Sequence, residues 1–283
     1  MTGYDPQKGE LLATADEIYQ VGVADGKAEQ QAVDQPQIDA LTAQVAAAKP
    51  AGLLFSDDFS AVDLDAWNLY DSAGKYAAQG ARDKRNVEAS GGVLSLYCRQ
   101  LGVSRTYGGA GVTIAADGFT AAGYQLDRLL SPGTRVTFDM ISQASIGTRF
   151  VALTWPTSGW PTNGEIDFVE MGGISDGQAA RTKSVTNNHF NDPSKPQNNG
   201  QDPHPFAHDF TQQSHVELTW LPNAIVVVVD GVLAWCYTTN VPKGPMQLVF
   251  QTAVEGGGQS PTYSGQARQT GLTEISNFQV WEV

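Results

Sequence analysis

The six residues Glu165-Ile166-Asp167-Phe168-Val169-Glu170 concentrate acid groups at a spacing that could do chemistry. Acid and apolar side chains alternate over the first four positions. In an extended strand, Glu165 and Asp167 then share one face, while Ile166 and Phe168 turn towards a core. Glu170 lies an odd number of residues from Glu165, so a regular strand would send it to the opposite face. A β-bulge near Val169 would bring all three acids to one side. At ~3.3 Å per residue the two glutamate Cα atoms would stand roughly 13 Å apart. Their side chains could still lean across a sugar to the ~5–5.5 Å carboxyl separation used in retaining glycoside cleavage.

That chemistry needs two carboxyl groups in different protonation states. One, ionised, attacks the anomeric carbon; the other holds a proton for the leaving oxygen. Crowded like charges help, because each raises the pKa of its neighbour. An aspartate between them can hydrogen-bond the nucleophile. Two plainer readings compete: a solvated acidic edge strand, and a site for a hard cation. Trp155 and Trp160 flank the acids and could stack on pyranose faces, with Trp160 in a Pro/Gly loop the better placed. Trp67, Trp220, Trp235 and Trp281 read as core or sheet residues. His204, His208 and Asp209 fall in a polar, proline-broken stretch, 187–209, that reads as a loop rimming a cleft. Their spacing is weak evidence for a metal.

The elements that must position these groups are β-strands. Val93–Cys98, Arg135–Met140, Arg149–Trp155, Val216–Trp220 and Met246–Phe250 are short and often alternating. Asp230-Gly231, set between the apolar runs 224–229 and 232–237, signals a tight hairpin whose turn needs positive φ. Many short strands joined by turns, with 30 glycines and 14 prolines in 283 residues, indicate an all-β sandwich. The formal net charge of -13 argues against long-range attraction to nucleic acid or an anionic membrane and favours a neutral polymer. No stretch is apolar and long enough to span a bilayer. Cys98 and Cys236 lie in strand-like runs and read as buried thiols, with a disulfide left open.

Residues 9–48 differ in composition. Ile38, Leu41 and Val45 have helical spacing, broken upstream by Gly22, Gly26 and Pro36, and Lys49–Gly52 reads as a linker. The division expected is a partly helical attachment or oligomerisation arm over 1–50 and a sandwich over 51–283. The N-terminus lacks the basic-then-apolar character of a signal peptide.

Trp160-Pro-Thr-Asn-Gly-Glu-Ile-Asp-Phe-Val-Glu170 resembles the active strand of glycoside hydrolase family 16, the laminarinase-like β-glucanases and galactanases. The resemblance spans roughly residues 53–283. It is carried in order by Phe55–Phe59, Gly92–Leu96, His215–Trp220 with Val229-Asp-Gly231, Leu248–Gly257 and Ile275–Trp281. It implies a concanavalin A-like jelly-roll sandwich and a retaining mechanism, with Glu165 as nucleophile, Asp167 assisting and Glu170 as acid/base. It also implies substrate-binding roles for His189 and Gln251, and no cofactor beyond a structural calcium. Departures leave the sugar open. Thr137 and Asp139 stand where a Y-G-x-x-E-x-R strand would carry Glu and Arg, Gln251 replaces Asn, and Glu255 interrupts a Gly pair.

Tyr19–Lys27 resembles N-terminal stretches of minor tail proteins of actinobacterial phages. That implies a virion setting, tail proteins as partners through residues 1–50 and a homo-oligomer; a secreted enzyme is the alternative. The function expected is a retaining endo-β-glycanase acting on cell-envelope or extracellular polysaccharide. A non-catalytic, lectin-like adhesion module is the competing reading.

Overall fold

The computed structural model describes residue 40 and residues 51–73, 80–108, 111–172 and 179–283. The arm expected over 1–50, with its tail and oligomer contacts, lies outside the described residues apart from Ala40. Ala51 and Gly52 are not linker. The Ala51 N–H donates to the Glu282 carbonyl, and Gly52 opens the strand Gly52–Asp57.

The chain forms the expected all-β sandwich. The sheet that carries the acids has seven antiparallel strands in the order Asn199–Ala207, Lys183–Asn191, Glu165–Gly172, Thr148–Pro156, Met246–Val254, Gly123–Leu130 and Trp67–Leu69. The opposing nine-stranded sheet runs Val232–Tyr237, Ile225–Val229, Ser214–Trp220, Thr134–Ser142, Gly271–Glu282, Val93–Gln100 and Val87–Ser90, with Gly52–Asp57 and Phe119–Thr120 paired at its margins. Alternation drives the assembly. In Val93–Gln100 the residues Leu94, Leu96 and Cys98 are fully buried, and their neighbours are only partly covered. Both sheets feed one apolar cluster, in which Phe138 and Phe278 of one sheet meet Phe250 of the other, with ring centroids 5.0 and 5.7 Å away. The Asp-Gly hairpin forms as expected: Val229 faces Val232, and Asp230 and Gly231 take φ of 49° and 76°.

The stretch 187–209 is not a loop. It completes Lys183–Asn191 and forms the edge strand Asn199–Ala207, with Asn187 facing Pro203 and Val185 facing Pro205. An edge strand has one side without a partner, so it accommodates prolines that a central strand would reject. Within it His204 meets Asp202 and stacks on Trp235 at 3.5 Å. His208 hydrogen-bonds Ser214 instead, so these histidines do not converge on a metal. Trp67 and Trp220 are core residues as expected. Both cysteines are free; Cys98 is buried and Cys236 only half-buried.

Trp67 ties the sheets together. It stacks on Tyr124 at 4.3 Å, and its indole N–H donates to Asp57 Oδ2 of the opposing sheet at 2.8 Å. Trp67→Ala is expected to cost about 3–5 kcal/mol, read as a lower urea midpoint; an unchanged midpoint would show that the ring does not join the sheets.

Candidate functional site

The loop before the acidic strand sets its entry. Gly164 has φ 84°, and a Cβ there would lie 2.5 Å from Pro242 Cγ, so glycine alone suits the position. Along the strand the expected bulge is present. Val169 faces Ala152 and Asp167 faces Leu153, leaving Phe168 without an opposite number. On the other side Asp167 faces Asn187 and Glu170 faces Val185, so the register shifts there too. Phe168, Val169 and Met171 all enter the core, while Glu170 comes back to the face of Glu165 and Asp167. The fully buried Ser184 repairs the ladder: its hydroxyl accepts from the Glu170 N–H at 3.1 Å and donates to the Glu170 carbonyl at 3.0 Å.

Glu165, Asp167 and His189 form one network. The Trp160 indole N–H donates to Glu165 Oε2. His189 Nε2 donates to Asp167 Oδ2 at 3.0 Å, and Nδ1 donates to Asn199 Oδ1 at 2.9 Å. The Asn187 amide nitrogen lies 3.0 Å from the same Nε2, so three polar groups converge on the ring. Burial alone would lower the His189 pKa, but the bond to Asp167 and the charges of Asp167 and Glu165 push it up to about 9. Burial, reinforced by the Asp167 charge, pushes Glu165 up to about 8 against the pull of His189 and Trp160. Glu170 is also held above the usual carboxylate range, by burial and by Asp167; Arg149 and His189 oppose the rise.

The floor beside the acids comes from three neighbouring strands. Val151 and Leu153 lie opposite Glu170 and Asp167, and Gln251 and Val249 lie opposite them in turn. The next strand sets Gly123 against Gln251 and Gln125 against Val249. Gln125 accepts from the Tyr70 hydroxyl at 2.5 Å. Trp155 and Tyr70 pack on this aliphatic patch. All seven residues expected at the site therefore lie on this sheet or, for Trp160, in the loop that enters it. Trp160 gives its indole N–H to Glu165, a contact separate from the ring-face stacking expected of it.

The strand that carries Thr137 and Asp139 does not border the acids. Gly133–Asp139 belongs to the opposing sheet, where Thr137 faces Glu217, and Asp139 faces and hydrogen-bonds His215. The strand beside Met246–Val254 is Gly123–Leu130. Its Gln125 escaped notice because nothing in a local apolar pattern says which sheet a strand joins. Tyr70, Arg149, Asn187 and Asn199 escaped for the same reason; Glu255 was visible only as a departure. Among the described residues, Glu165, Asp167 and His189 offer ligand atoms within 4.8 Å of one another. An imidazole in that set suits a transition metal better than calcium.

The family model of glycosyl hydrolases family 16 matches residues 102–273, more than half of the chain. Among solved structures, the LamA catalytic domain of Zobellia galactanivorans is similar, at 17% identity and TM-score 0.66, over 82% of this chain and 98% of that one. The endo-1,3-beta-glucanase (laminarinase) catalytic domain of Thermotoga petrophila aligns at 19% identity and TM-score 0.65, over 82% and 97%. A beta-1,3-1,4-glucanase (lichenase) from a mouse hindgut metagenome aligns at 18% and 0.60, over 81% and 98%. At these identities the likeness establishes the jelly-roll fold. A search of curated proteins gives no match.

The network makes a pH prediction. Carbon-13 carboxyl NMR is expected to show Glu165 titrating near pH 8, where burial and the Asp167 charge hold it. Asp167→Asn removes the negative charge that holds the proton there, so the midpoint should fall. A midpoint in the ordinary range near 4.5 in the wild type would contradict the network as drawn.

Proposed function

The chain belongs to glycosyl hydrolase family 16, and from that premise we propose that it is a retaining endo-β-glycanase. The observation that carries this reading is the bulge that returns Glu170 to the face of Glu165 and Asp167. In the first step Glu165 loses to solvent the proton that its raised pKa favours. As carboxylate it attacks the anomeric carbon while the glycosidic C–O bond breaks, and Glu170 gives its proton to the departing oxygen. In the second, Glu170 takes a proton from water, the hydroxide attacks the same carbon, and Glu165 leaves as carboxylate. Asp167, hydrogen-bonded by His189, lies beside Glu165 and raises its basicity, which strengthens it as a nucleophile.

The floor supports a substrate class. Tyr70 and Trp155, half-buried over Val151, Leu153 and Val249, offer aromatic surface to pyranose faces, and Gln251 offers an amide to hydroxyls. Arg149 is already claimed by two glutamates, so the described site holds no cation set apart for an acidic sugar. A neutral β-1,3/1,4-glucan or galactan of a cell envelope or extracellular matrix fits this chemistry. The setting we favour is a phage tail, with residues 1–50 as the attachment and oligomerisation arm; it rests on the resemblance of Tyr19–Lys27. Secretion is the alternative.

Reducing-end release from β-1,3- and β-1,4-glucans, galactans and actinobacterial wall polysaccharides is the direct test. Glu165→Gln should reduce cleavage to background while glycan binding persists. Glu170→Gln should lose ~10²–10⁴-fold on natural glycan and far less on an aryl glycoside whose leaving group needs no proton. Binding without cleavage by the wild type would assign the sandwich to adhesion.

A further inference from the structure

Glu170 is gripped from the side. Arg149 Nη1 donates to Glu170 Oε1 at 2.6 Å, while its Nε donates to Glu255 Oε1 at 2.7 Å. One guanidinium thus bridges two carboxyl groups from different elements. Arg149 lies on the strand Thr148–Pro156, and Glu255 follows Met246–Val254.

The bridge is built on both sides. Arg149 faces Gly172, where a Cβ would lie 2.7 Å from Arg149 Cβ and 2.8 Å from its Cα and Cγ. Any larger residue would push the arginine stem away from the acids. Glu255 is fixed through its backbone: its N–H donates to the Gly147 carbonyl at 3.1 Å, and its own carbonyl accepts from Arg268 Nη2. Arg268 Nη1 in turn donates to the Gly147 carbonyl at 2.7 Å. Glu255 is therefore an anchored acid that holds part of the Arg149 charge away from Glu170.

We propose that Arg149 and Glu255 are a positioning pair for Glu170, in which the arginine aims the acid/base carboxyl and Glu255 tempers the arginine so that Glu170 can still carry a proton. The inference rests on the acid/base role given to Glu170 above. A bare guanidinium 2.6 Å from a carboxyl would favour the ionised form and disable a general acid. The other charged groups facing Glu170 are Asp167 on its own strand and His189 on the next. Asp167 favours the protonated form and His189 opposes it, which leaves Arg149 and Glu255 as the adjustable pair.

The test reads opposite directions from two variants. Arg149→Met removes the positive charge and should raise the Glu170 midpoint. Glu255→Gln frees that charge and should lower it. Each shift should be on the order of one pH unit, measured by carbon-13 carboxyl NMR with Glu170 assigned by its loss in Glu170→Gln. In cleavage assays, the limb of the kcat/KM profile that disappears with an activated aryl glycoside should move the same way. Midpoints that stay put, or that move together, overturn the proposal and leave a structural tie. If Arg149→Met does not fold, Glu255→Gln decides alone: a fall supports the pair, and no change overturns it. Wild type that releases no reducing ends from any glycan sinks the functional reading instead, and the carboxyl titration is unaffected by that outcome.

Discussion

The site depends on one break in strand regularity, the bulge at Phe168 and Val169. A β-strand presents alternate residues to each face, so acids five apart cannot share a face without an extra residue between them. Here that extra residue costs nothing in burial, because Phe168 and Val169 both fill the core. The freed backbone groups of Glu170 are taken up by the Ser184 hydroxyl, which satisfies both its N–H and its carbonyl. Core packing and hydrogen bonding thus favour the bulge together.

Around that bulge the protein keeps acids close in a poorly hydrated face, and their protons follow. Burial and the Asp167 charge raise Glu165 and Glu170, while Asp167 draws a proton onto His189. The same crowding would be destructive without its supports. Trp160 donates to Glu165, His189 to Asp167 and Arg149 to Glu170, so each acid has a donor of its own. These donors come from a loop and from the two strands flanking the acidic one. The order of strands in the sheet therefore decides the electrostatics as much as the acidic strand does.

Much of this could be read along the chain, since it rests on short-range rules. Alternation separated the core residues from the acids, the odd spacing of Glu170 demanded a bulge, and Asp230-Gly231 demanded a tight hairpin that formed. Prolines misled the reading at 187–209, because proline disfavours strands in general yet is tolerated at an edge. Position at an edge is a property of the sheet, not of the segment.

The sequence by itself determined the acids, their face, the need for a bulge and the sandwich class, because each follows from periodicity within a few residues. Only tertiary structure decided which strands lie beside the acids. It moved Gly133–Asp139 to the opposing sheet and put Gly123–Leu130, with Gln125, beside Met246–Val254. It also joined Arg149 to Glu170 and Glu255, residues 21 and 106 positions away. Such contacts are set by strand order and register between distant segments, and no local pattern of residue types carries that information.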